Sequence, residues 1–125
     1  MEINELTYKI NGAIFEVNRV LGPGFLEKVY ENALALELES LGLKFNRQVP
    51  IEVLYKNQIV GEYVADMIVE NSVILELKTV EALTRIHDAQ LLNYLKATNI
   101  PVGILVNFKE EKATIRRMTL NRDDQ

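Results

Sequence analysis

Asp66, Glu76 and Lys78 are the residues of this 125-residue chain whose types and spacing most directly suggest chemistry. They sit on two alternating stretches, Ile59 to Val69 and Val73 to Lys78, joined by Glu70-Asn71-Ser72. If that triplet is a three-residue loop, Val69 faces Val73 and Asp66 falls opposite Glu76. Cross-strand partners stand roughly 4.5–5.5 Å apart at Cβ, and the two-residue period of a strand puts Lys78 on the same face as Glu76. Two carboxylates that close repel each other, and one takes up a proton unless a cation sits between them. Oxygen donors with neither thiolate nor imidazole suit Mg²⁺ or Mn²⁺. The plain alternative is a solvent-facing strand on which Glu-x-Lys is an incidental pair that stabilises little. Against it, Val73, Leu75 and Leu77 already form an apolar face, and Glu76 shares its own face with Ile74. That second face is therefore expected to be covered, and a charge on a covered face needs a reason.

Two further clusters read as helical. His87, Gln90 and Tyr94 stand at i, i+3 and i+7 and share one stripe. Amide and phenol groups on a stripe can hold a phosphate or a base edge without carrying charge. They can equally cap neighbouring backbone in a half-buried helix, and His87 reads best as a helix-start residue with a local hydrogen bond. Gly24-x-x-Glu27-x-x-Tyr30 opens another helix. Glu27 in its first turn is favoured by the positive end of the helix dipole, which by itself accounts for a carboxylate there. Tyr30, three residues on, lies on the same side and can belong to the core.

These residues need elements to hold them. Ile3, Leu6, Ile10, Ile14, Val17 and Leu21 repeat at helical spacing over residues 3–21. Gly22-Pro23-Gly24 interrupts that helix, and a second is expected from Phe25 to Leu41, closed by Gly42. From Val49 the period becomes two, with turns at Lys56-Asn57 and Glu70-Asn71-Ser72, which predicts three strands in a meander ending at Lys78. Residues 84–98 return to helical spacing. Val102 to Val106 is apolar throughout, as in a strand buried on both faces, and Ala113 to Leu120 alternates again. The order is ααβββαββ, an α/β or α+β sheet with helices packed on it, read as one domain over residues 1–125 with a frayed polar tail at 121–125.

Composition narrows the choice. Apolar residues at 48% and charged residues at 26% are those of a folded globular chain. No cysteine is present and His87 is the lone histidine, which excludes disulfides, thiolate chemistry and a four-ligand zinc site. A net charge of −4 counts against coating nucleic acid by charge alone, but not against an enzyme that brings a divalent cation to a phosphate. The first residues carry no basic and apolar leader pattern, and no apolar run approaches the ~20 residues of a membrane span. A soluble, cytoplasmic protein without membrane association is expected.

The three clusters together, Gly24-x-x-Glu27-x-x-Tyr30, Asp66…Glu76-x-Lys78 and Gln90-x-x-x-Tyr94, resemble the GxxExxY family, which is assigned to the PD-(D/E)xK nuclease superfamily near its RecB-type branch. The resemblance runs from about Tyr8 to Arg117. It implies a restriction-endonuclease-like αβββαβ core, a mixed central sheet flanked by helices. It also implies that Asp66 and Glu76 bind Mg²⁺ or Mn²⁺ with the Leu77 carbonyl, and that Glu27 adds a carboxylate at or near the metal. Lys78 would orient water or stabilise phosphate charge, and Gln90, Tyr94 and Tyr30 would contact substrate. The implied activity is hydrolysis of nucleic acid, DNA rather than RNA, gripped by cations such as Lys9, Arg19, Lys28, Arg85 and Arg116. A homodimer would let a small nuclease reach two strands. Ala65 stands where the superfamily name has Pro. The competing expectation is a catalytically silent module of the same fold that binds nucleic acid or a protein partner.

Overall fold

The computed structural model describes residues 1–120, so the tail expected at 121–125 lies outside the described residues. Helix α1 spans Ile3–Leu21, and the Glu2 carboxylate caps it by accepting from the Asn4 and Glu5 N–H groups at 2.9 and 3.1 Å. Helix α2 spans Glu27–Ser40, two residues shorter at its start than the periodicity predicts. The difference is the Gly22–Leu26 loop. There the Tyr30 hydroxyl donates to the Gly22 carbonyl at 2.7 Å and accepts from the Phe25 N–H at 3.3 Å, so Phe25 is held outside the helix. At the other end Gly42 has φ +72°, and the Gly42 and Leu43 N–H groups reach back to the Glu39 and Leu38 carbonyls. This is the glycine-terminated helix end expected from the sequence.

Five strands follow the order β1-β2-β3-β4-β5 across one sheet: β1 Phe45–Tyr55, β2 Gln58–Val69, β3 Val73–Lys78, β4 Val102–Asn107 and β5 Thr114–Thr119. β3 and β4 are parallel and every other pair is antiparallel. The parallel step is made by α3, Arg85–Thr98, crossing over between them. β1 begins four residues earlier than Val49. Its polar start carries no alternation to read, yet it pairs with the buried end of β2.

Two cores result. α1 and α2 cover one face of the sheet through Leu6, Ile10, Ile14, Leu34 and Leu38 against Met67, Val69, Leu75, Leu77 and Ile104. α3 covers the other through Leu91, Tyr94 and Leu95 against Ile51, Ala65, Ile68, Ile74 and Leu105. Both faces of β3 and β4 are thereby closed, as the charged-and-apolar face of β3 required. One expectation fails within β2: its alternation does not run unbroken. Met67 and Val69 join the α1/α2 core, whereas Ala65, at the same parity, joins the core under α3. The slip occurs at Asp66. No described helix is long and apolar enough to cross a membrane.

α3 lies close on the sheet because Gly103 of β4 has no side chain. A Cβ there would come within 2.8–2.9 Å of the Leu91 branch, which is itself buried. Gly103→Ala is expected to cost about 1–3 kcal/mol through overpacking and so lower Tm by several degrees in calorimetry.

Candidate metal centre

The β2–β3 ladder contains the pairs Val69–Val73, Ile68–Ile74 and Met67–Leu75, and it stops where Asp66 and Glu76 would come next. Side chains take over. The Asp66 N–H donates to Glu76 Oε1 at 3.0 Å, and the Leu77 N–H donates to Asp66 Oδ2 at 2.7 Å. Each carboxylate thus closes the backbone of the opposite strand, in place of a carbonyl. Neither Asp66 Oδ1 nor Glu76 Oε2 has a hydrogen-bond partner among the described residues. Neither is sealed from solvent, since among the described residues Asn11 Oδ1 is the lone buried side-chain oxygen without a partner. The N–H and carbonyl of one strand residue project to the same edge, so the Leu77 carbonyl also points towards the gap.

The electrostatics are those of two acids pressed together. Glu76 is 6% exposed, and burial first, then the Asp66 charge, push its carboxyl up to about 8. Burial also raises Asp66, against the Leu77 N–H and the Lys78 ammonium, which favour its charged form. Lys78 acts on Glu76 in the same sense, so its positive charge favours the ionised form of both acids. Glu27 raises both, which brings it to the margin of the cluster, while its Oε2 accepts from Thr79 Oγ1 at 3.4 Å. No three His, Cys, Asp or Glu side chains of the described residues converge closely enough to hold a metal by themselves. Two carboxylates with one open oxygen each, a neighbouring carbonyl and an unrelieved repulsion nevertheless fit a hard cation that keeps several waters.

Gln90 and Tyr94 approach this centre from α3. Gln90 Nε2 donates to the Tyr94 hydroxyl at 2.9 Å, and burial together with the Glu76 charge raises the Tyr94 phenol. Both line a groove of about 950 Å³ between α3 and the β1–β2 hairpin, where the Tyr63 and Tyr94 rings stand 5.6 Å apart. Tyr30 does not join them. It is wholly buried, stacked on Phe108 at 4.3 Å, with its hydroxyl committed to the Gly22–Phe25 backbone. The expected substrate contact is therefore corrected to a role in holding the loop ahead of Glu27. His87 Nδ1 accepts from the Thr84 N–H at 2.9 Å, closing the start of α3. Of the cations expected to grip substrate, Lys9, Arg19, Lys28 and Arg116 are paired with Glu5, Glu16, Glu31 and Asp88.

One group beside the centre escaped the sequence reading. Glu31, 3% exposed, accepts from Arg47 Nε at 2.8 Å, Gln48 Nε2 at 2.6 Å and Lys28 Nζ at 3.3 Å. Burial alone would raise its carboxyl, but the bonds from Arg47, Gln48 and Lys28 outweigh it and keep the group below its ordinary range. The available signal was its place one turn after Glu27 on the same helix stripe.

Because the folded protein holds the Glu76 proton up to about 8 while the unfolded chain releases it near 4.5, stability falls as pH rises between those values. In chelator, Tm is expected to fall from about pH 5 to about pH 8, and Glu76→Gln to flatten that slope. Calorimetry across that range checks it, and an equal slope in the variant refutes it.

Comparison with known proteins agrees with this architecture. The crystal structure of SSO0001 superposes with a TM-score of 0.58 at 22% identity, over 78% of this chain and 51% of that one. The chain thus spans about half the length of that protein, and the likeness is one of fold. No curated protein matches the sequence. A family model does, over residues 4–118, a range that contains both acids, the lysine, α2, α3 and all of α1 but Ile3. By that match, the chain belongs to the PD-(D/E)XK nuclease superfamily.

Proposed function

We propose that this protein is a divalent-metal-dependent nuclease that hydrolyses phosphodiester bonds of DNA. The observation that carries the reading is the pair of carboxylates between β2 and β3, Glu76 buried and Asp66 half-buried, each with one oxygen held by backbone and one left open, with the Lys78 ammonium alongside. Asp66, Glu76 and the Leu77 carbonyl would hold Mg²⁺ or Mn²⁺, with Glu27 adding a carboxylate from the start of α2. Bound there, such a cation would supply Lewis-acid polarisation of a phosphodiester and acidify a water beside it. Lys78 contributes a fixed positive charge beside the phosphate, where charge develops in the transition state. Gln90 and Tyr94, bonded to each other, orient the nucleic-acid backbone against the acids. Glu76 and Asp66 keep their geometry through the strand N–H groups, so little reorganisation accompanies cation entry. A second copy of the chain would serve the second strand of a duplex, and the cysteine-free composition suits the cytoplasm.

A second reading, a catalytically silent module that binds nucleic acid or a protein partner, is favoured by one observation. Among the described residues the centre gathers two acidic side chains rather than three.

Thermal unfolding with Mn²⁺ separates the readings without choosing a substrate. For a Kd near 1 mM, about 10 mM Mn²⁺ adds about 1.4 kcal/mol, a shift of several degrees. The wild type is expected to show it, Asp66→Ala and Glu76→Ala to lose it. Cleavage of DNA with Mg²⁺ or Mn²⁺ should disappear in Glu76→Ala and Lys78→Ala while both retain their fold by circular dichroism. Salt-dependent DNA binding without metal-dependent cleavage would establish the silent module instead.

A further inference from the structure

Gln48 is the one described non-glycine residue with positive φ inside a strand. Its φ is +50°, whereas Lys56, Asn57, Glu70, Asn71 and Asn99 have theirs in turns or at a helix end. A side-chain-bearing residue seldom adopts this conformation in a sheet, so something must hold it there. The register says what the conformation achieves. Arg47 faces Met67 and Val49 faces Ala65, so Gln48 falls opposite Asp66, yet that pair is missing from a register that otherwise runs unbroken from Phe45–Val69 to Val53–Gly61. At the same place β1 changes sides: Phe45 packs towards α1 and α2, Val49 and Ile51 towards α3. The Asp66 N–H, released from β1, donates to Glu76 Oε1. What holds Gln48 is its own side chain, drawn at 2.6 Å to the buried carboxylate of Glu31, which Arg47 and Lys28 keep charged.

We propose that Glu31 and Gln48 are positioning residues of the Asp66–Glu76 centre: their hydrogen bond keeps β1 out of the ladder opposite Asp66 and so frees the Asp66 N–H to fix the Glu76 carboxylate. Neither residue touches the metal or the substrate. They decide where a carboxylate oxygen stands by deciding which partner a backbone N–H takes. The metal readout below rests on the function proposed above; the backbone readout does not.

Two measurements on intact protein test this: the Asp66 amide proton resonance by NMR, and Mn²⁺ affinity by calorimetry. Glu31→Leu removes the anchor, and the Asp66 amide is expected to move away from its carboxylate-bonded position. Mn²⁺ affinity should fall by about 10–100-fold, the usual effect of losing a group that orients a ligand. Adding Gln48→Gly in the same chain supplies positive φ without an anchor, so both readouts should return towards wild type. A merely structural loss at Glu31 would not be rescued from position 48. An unmoved Asp66 amide in Glu31→Leu, or a double variant that fails to recover it, overturns the proposal. Should Glu31→Leu not fold, Gln48→Val disfavours positive φ through its branched Cβ while leaving the buried charge in place. Its Asp66 amide must then shift, and an unshifted one overturns the proposal equally. If the wild type takes up no Mn²⁺, the metal reading fails, and the amide resonances still decide this inference.

Discussion

Two carboxylic acids side by side between diverging strands, one buried and one half-buried, are the constraint around which this molecule is arranged. Asp66 accepts the Leu77 N–H across the opened β2–β3 ladder, and Glu76 accepts the Asp66 N–H that β1 leaves unpaired. A buried N–H without an acceptor would be costly, so the backbone holds the acids in place as firmly as the acids hold the strands apart. Burial of Glu76, and then the nearness of the Asp66 charge, make their joint ionisation unfavourable and lift the Glu76 carboxyl to about 8. A fold that maximised its own stability would hardly place two acids there. Strain of this kind collects where a site is built.

The surrounding elements serve that arrangement from two sides. α1 and α2 bury one face of the sheet, and the loop between them, pinned by the Tyr30 hydroxyl, delivers Glu27 at the first turn of α2. α3 buries the other face, pressed close by Gly103, and brings Gln90 and Tyr94 within the field of Glu76. The slip of alternation at Asp66 belongs to the same design. A strand obeying period two throughout would either carry Ala65, Met67 and Val69 all into one core or aim Asp66 differently. Breaking the phase lets β2 feed both cores and turn its aspartate into the gap.

Part of the positive charge is matched locally by carboxylates. Lys9, Arg19, Lys28 and Arg116 each stand against a carboxylate of their own neighbourhood. Exposed pairs of this sort stabilise little.

Much of this was legible in the residues alone. Period 3.6 giving way to period two set the order of elements, because burial of one face imposes those periods on any sequence that folds. The hairpin loop at Glu70-Asn71-Ser72 fixed the register, and register is countable: it placed Asp66 opposite Glu76 before any coordinates. Glu31, Arg47 and Gln48 were not countable in that way. They come from a helix and an edge strand distant in sequence, their contact is a matter of how α2 lies on the sheet, and nothing in Asn46-Arg47-Gln48 announces a positive φ. Tyr30 likewise reads as either core or site until its hydroxyl is seen to hold Gly22. Local pattern determined which elements form and which acids face each other, since both follow from short-range periodicity. Only the tertiary structure decided which backbone N–H each acid takes and what holds that choice, because those depend on long-range packing that periodicity does not encode.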